Sequence, residues 1–227
     1  TKHHDTFATG QYHLSNPRSV RVQEPREYRR NHSYHSNTKM KYLLFFFLCS
    51  SAWAADNSIV IDQIGDNNTV VITQDGTAHS VNVTMGTVSS ADNNSIAITQ
   101  QGTGAKTVAL ELTAGINNGV IITQDGGGAH VSNIQNLNGN ANNITIGQSG
   151  NANHNFTIVG GTGTVNSGNT ITATQSGAAD KAFTLNLNST SGAGVTVQQT
   201  NPGQANTGNM SISCAAGTCG NYSYIRP

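Results

Sequence analysis

Asn57-Ser58-Ile59-Val60-Ile61-Asp62-Gln63-Ile64-Gly65 is followed at once by a second version of itself, Asn68-Thr69-Val70-Val71-Ile72-Thr73-Gln74-Asp75-Gly76. Both place apolar residues at the third and fifth positions, polar residues at the second and sixth, Gln at the seventh and Gly at the ninth. Alternation with period 2 and β-branched residues predicts a strand. The Gly, beside Asp or Asn, supplies the positive φ of a tight turn. The same arm restarts at Asn94, Asn118, Asn142, Asn169 and Ala193. Weaker arms with the same alternation start at His79, Lys106, His130, His154, Lys181 and Gly208. Successive starts are 11, 11 or 12 residues apart, with three steps of 15. Thirteen arms at this spacing form a two-arm repeat of about 24 residues, the signature of a solenoid.

Composition agrees. Only 10% of the 227 residues are charged and 35% are hydrophobic, too few for a thick core. Two strands joined by turns cannot bury an apolar face alone, but coils stacked ~4.8 Å apart can. The fold expected is all-β, a β-solenoid of about six two-strand coils plus one leading arm. The first and seventh positions then point inward with the third and fifth. Asn57, Asn68, Asn94, Asn118, Asn142 and Asn169 are expected to form one column. Gln63, Gln74, Gln100, Gln124, Gln148, Gln175 and Gln199 form another. A buried amide is costly unless paired, and its copy one coil away pairs it, as in cross-β ladders. Gly65, Gly76, Gly102, Gly126, Gly150 and Gly177 mark the turns.

The organisation along the chain has four parts. Residues 1–39 hold no Met and seven of the eleven basic residues, and are read as an upstream segment that is untranslated or disordered. Met40–Ala54 has a start Met, a Lys, a short apolar run and Ala-x-Ala, which reads as a secretory signal peptide. That run is too short to span a bilayer. Residues 55–213 are the repeats, and 214–227 a Cys-containing tail. The zero net charge is thus an average: residues 55–227 carry three basic and eight acidic side chains, −5. Cys214 and Cys219, outside the cytoplasm, are expected to form a disulfide that pins the tail or caps the last coil.

The spacing Asn57-x-Ile59-x-Ile61-x-Gln63-x-Gly65-x-x-Asn68-x-Val70-x-Ile72-x-Gln74 resembles the curlin repeat of bacterial curli. The likeness is fullest over 57–76 and continues at half strength to 214, where the second arms carry His or Lys first and have lost their Gln. It implies a secreted β-solenoid subunit that polymerises with itself into extracellular amyloid fibres serving adhesion and biofilm matrix. It also implies a nucleating subunit and an outer-membrane secretion pore as partners.

Other chemistry is weighed against this. His79, Lys106, His130, His154 and Lys181 share one column. They are read as turn residues with their heads in water, whose protonation below about pH 6 weakens assembly. A metal shared by His130 and His154 is disfavoured by the neighbouring Lys. Calcium at Asp62, Asp75 and Asp125 is disfavoured because most turns lack Asp. No catalytic cluster, cofactor site or nucleic-acid site is expected in the exported part. The alternatives are a monomeric solenoid adhesin of surface or phage type, and an ice-binding solenoid, for which only Thr170, Thr172 and Thr174 give the outward Thr array.

Overall fold

The computed structural model describes the backbone of residues 8–14, and residues 57–87, 89–214 and 218–227 in full. The segment read as a signal peptide and most of residues 1–39 lie outside these. Among the described residues every regular element is a strand. The chain alternates between two sheets. Sheet A takes β3 (Asn68–Gly76), β6 (Ser95–Gly102), β8 (Gly119–Asp125), β10 (Asn143–Ser149), β12 (Thr170–Ser176), β14 (Gly194–Gln199) and β16 (Asn221–Arg226). Sheet B takes β2 (Ser58–Gln63), β4 (Ser80–Met85), β7 (Lys106–Ile116), β9 (His130–Asn138), β11 (His154–Gly160), β13 (Lys181–Asn188) and β15 (Asn206–Ser213). The two-residue β5 (Ala91–Asp92) pairs with the end of β7. Within each stack the pairing is parallel. One strand differs: β1 (Ala8–Leu14) lies antiparallel along the outer edge of β3.

The solenoid therefore has seven coils, not six. The seventh comes from the segment expected to be a tail, because Asn221–Arg226 adds to β14 in parallel. It carries Tyr222 and Tyr224 where other coils have Val, Ile or Ala, and Arg226 where they have Gln, so the repeat pattern does not disclose it. All seven coils lie within residues 57–227.

That core is one line of side chains between the sheets. Ile72, Ile98, Ile122 and Ile146 face inward from sheet A, and Val81, Val83, Val108 and Leu110 from sheet B. Each contributes about 1.5–3 kcal/mol of burial. Towards the C-terminal end the filling becomes aromatic. Phe156 and Phe183 stack with ring centroids 5.7 Å apart, and Tyr224 reaches across from sheet A to 4.8 Å from Phe183. Gly208 leaves the room for it: a Cβ there would lie 2.7 Å from the Tyr224 ring.

Two conformational columns close the coils. Gly102, Gly126 and Gly150 have φ near +99°, +99° and +118°, and a Cβ on Gly126 would lie 2.4 Å from the Gly150 carbonyl oxygen. Asn67, Asn93, Asn117 and Ala141 are left-handed, each just before an inward Asn. Asn tolerates that region far better than Ala. Ala141→Asn should stabilise the chain by about 0.5 kcal/mol, whereas Gly126→Ala should destabilise it by about 2 kcal/mol or more. Urea midpoints of the two variants measure both, and equal midpoints would contradict the geometry.

Candidate functional site: the inward polar columns

Sheet A carries the amide ladders. Gln74, Gln100, Gln124, Gln148, Gln175 and Gln199 stand in register and are buried. Each Nε2 donates to the next Oε1: 2.9 Å from Gln74 to Gln100, 3.0 Å from Gln100 to Gln124, 2.9 Å from Gln124 to Gln148, then 2.8 Å to Gln175 and 2.8 Å to Gln199. The donors all point towards the C-terminal coil. Each ladder Gln also donates across the coil to sheet B, as Gln124 does to the Thr107 carbonyl at 3.2 Å.

The Asn ladder runs the other way. Asn94 Nδ2 donates to Asn68 Oδ1 (3.0 Å), Asn118 to Asn94 (2.9 Å), Asn142 to Asn118 (2.9 Å) and Asn169 to Asn142 (2.9 Å). The same Oδ1 accepts the backbone N–H of the next Asn, 2.9 Å for Asn118 and 3.0 Å for Asn142. The second amide proton goes to a turn carbonyl, as from Asn118 to Gly139 at 2.9 Å. Every hydrogen-bonding position of such an Asn is used, which explains why the column keeps Asn until Ala193 takes the rung after Asn169.

Asn57 and Gln63 do not belong to these columns. They lie in the first coil's sheet B arm, whose copies recur every second arm. β2 pairs with β4, which sets Gln63 beside Met85. Asn57 Oδ1 accepts from the His79 backbone N–H at 2.9 Å, and its Nδ2 donates to Gly76 O at 3.1 Å. Below Gln63 the column turns apolar, with Met85, Leu112 and Leu137.

The column that begins at Asn57 continues through His79, Lys106, His130, His154 and Lys181 to Asn206. These His and Lys side chains are buried, not in water; Lys106, His130 and His154 are 0% exposed. The position points inward in sheet B just as it does in sheet A. Lys106 Nζ donates to the carbonyls of Gly104 (3.0 Å), Gly126 (2.8 Å) and Gly128 (3.2 Å). Lys181 Nζ donates to Asn201 O at 2.8 Å and to Gln204 O. The imidazoles donate Nε2–H to carbonyls, His79 to Asp75 (3.1 Å), His130 to Asp125 (2.8 Å) and His154 to Ser149 (2.9 Å). That leaves three buried Nδ1 atoms without a partner. The His130 and His154 rings stack at 4.9 Å, 8° from parallel.

Cys214 and Cys219 are joined in a disulfide, Cα atoms 5.9 Å apart, in the arc between β15 and β16. The last arm starts at Asn206, paired with Lys181, rather than at Gly208. Cys214 is therefore the ninth residue of that arm, and its bridge holds the arc leading into the last coil rather than covering it. Cys219 N–H also bonds Ser191 O at 2.7 Å.

The coil with Gln on both arms is the first, with Gln63 in sheet B and Gln74 in sheet A. Residues 54–84 match the curlin associated repeat. No curated protein and no solved structure matches the chain. The curlin repeat together with the solenoid fits a structural subunit. Among the described residues no helix is long and apolar enough to cross a membrane, and no three His, Cys, Asp or Glu side chains group as metal ligands do.

Two outcomes follow. Asn118→Leu strands the Asn142 backbone N–H and side-chain amide, and should cost about 3 kcal/mol or more in denaturant unfolding; a loss under 1 kcal/mol would contradict the ladder. Burial lowers the pKa of His79, His130 and His154 against the opposing pull of their carbonyl partners, with His130 at about 4. Lys106 adds to the lowering at His79 and His130, Lys181 at His154, while Asp75, Asp125 and Asp180 oppose it. A base whose folded pKa lies below its unfolded value leaves the unfolded chain binding more protons. Stability is thus full above pH 6.5 and falls as the pH drops towards 4. The double variant His130→Asn/His154→Asn should flatten this slope, as read by unfolding at pH 4.5 and 7.5.

Proposed function

We propose that the exported chain is a secreted structural subunit that adds end to end to copies of itself, building curli-like extracellular fibres for adhesion and biofilm matrix. The observation that carries this is the polarity of the Gln ladder. Its donors point from Gln74 to Gln199, and the next rung is Arg226, which only donates. A copy stacked on the C-terminal coil in the same register sets Arg226 against its Gln74, whose Oε1 stands at the receiving end of the ladder. Two buried amide atoms among the described residues lack partners, Gln63 Oε1 and Asn206 Nδ2, and they lie in β2 and β15, the end strands of sheet B. Unpaired edges of this kind recruit further strands, and an in-register amide column selects an identical arm. The edge of β3 accepts a strand already, since Ala8–Leu14 lies along it. Removal of residues 1–54 with the signal peptide frees that edge. A nucleating subunit and an outer-membrane pore are the further partners this function calls for.

A monomeric adhesin is the second reading. It is favoured by the C-terminal coil, where Gly220 and Arg226 stand in place of the ladder Asn and Gln. Residues 55–227 at micromolar concentration decide between them. Unbranched, thioflavin-positive fibres are expected, and Arg226→Glu should slow elongation about tenfold without unfolding the monomer. A wild-type chain that stays a folded monomer for days would overturn the fibre reading.

A further inference from the structure

The outward face of sheet A is unused by any contact described so far. Its pairing is regular from β3 to β16, with no register shift. Val71, Ala97, Ile121, Thr145, Thr172 and Thr196 form its central column. Thr73, Thr99, Thr123 and Thr174 lie in the column beside it, which Gly147 interrupts without a bulge. Ile121 is 49% exposed. From β3 to β14 no charged side chain stands in these columns, and the carboxylates of Asp75 and Asp125 sit at the rim beside the turn. The outward face of sheet B differs on each count. Its register shifts twice between β7 and β9, and the hollow there is lined by Asn82, Glu111, Asn133 and Gln135. One face is unbroken in register and uncharged; the other is broken, amide-rich and acidic.

We infer that the sheet A face is where one fibre lies against another, its occupant being the same face of a second copy of this chain. Face area sets when this happens. Seven strands ~4.8 Å apart and about six residues long at ~3.3 Å each give a face of roughly 600–700 Å². Two such faces bury about 1,300 Å², the low end of what a specific interface needs. The contact is made of hydroxyls, methyls, the Gln198 amide and two Ile, Ile121 and Ile225, without an aromatic anchor. A pair of monomers is therefore not held together. A fibre of ten subunits presents ten such faces at fixed spacing, and their contributions multiply as linked sites do. Rigid in-register stacking makes this possible, because the faces of successive copies continue one plane. Bundling is then a property of the fibre that the monomer lacks, and a −5 chain bundles on this face because its charges lie elsewhere.

The inference rests on fibre assembly, and the test separates the two. Ile121→Lys/Thr145→Lys charges sheet A, and Thr157→Lys/Asn133→Lys charges sheet B as a control. Wild type and control are expected to give bundles by electron microscopy. The sheet A variant should give single filaments, with thioflavin growth rates within about twofold of wild type. Persisting bundles in the sheet A variant, or equal loss in the control, would overturn the inference. Wild-type fibres that never bundle sink it while leaving the fibre reading intact, and a wild type that forms no fibres sinks both. Binding of the monomer to ice or to cellulose, abolished by the same sheet A charges, would assign the face to a foreign surface and overturn it as well.

Discussion

The structure depends on a buried amide finding its own copy one coil away. Gln124 accepts a hydrogen bond from Gln100 and donates one to Gln148, and Asn118 accepts from Asn142 and donates to Asn94. An amide in an apolar interior without such partners would cost several kcal/mol. Exact repetition supplies the partner. The requirement also fixes the rest: parallel strands, no register shift in sheet A, and turns that return the chain to the same height each time. Glycines at the turns follow from that return, since Gly126 and Gly150 approach too closely for a Cβ.

A ladder needs only one side of the coil. Sheet B is free to depart, and does, with Met85, Leu112 and Leu137 where Gln63 began and with a bulge between β7 and β9. Its first-position column shows how a cation is accommodated without a carboxylate partner. The ammonium of Lys106 has three donors, and three turn carbonyls take them. An imidazole offers one donor to one carbonyl and leaves Nδ1 bare, so these rungs stay neutral and become the acid-sensitive part of an interior that also holds the ammonium groups of Lys106 and Lys181.

Much of this was legible in the chain. Period 2 within arms, period 24 between coils, the Gln ladder from Gln74 to Gln199 and the turn glycines are all set by residue type at fixed spacing. Three features were not. Asn57 and Gln63 look like ladder members because the first coil has the same motif on both arms, and only the alternation of sheets separates them. The His and Lys side chains were expected in water because charge usually is; the His rings bond carbonyls of the turn 4 or 5 residues before them, and the Lys side chains reach turn carbonyls 20 to 23 residues further on. The seventh coil hides because Tyr222, Tyr224 and Arg226 fill inward positions with none of the residue types that mark the other coils.

The most direct test of the ladder is hydrogen exchange of side-chain amide protons, measured by NMR on the folded monomer. The account predicts that the Nε2 protons of Gln124 and the Nδ2 protons of Asn118 exchange as slowly as the backbone amides of β8, and far more slowly than those of exposed Asn155. Exchange of the Gln124 and Asn118 side chains at the rate of a free amide, with the backbone of β8 still protected, would contradict it.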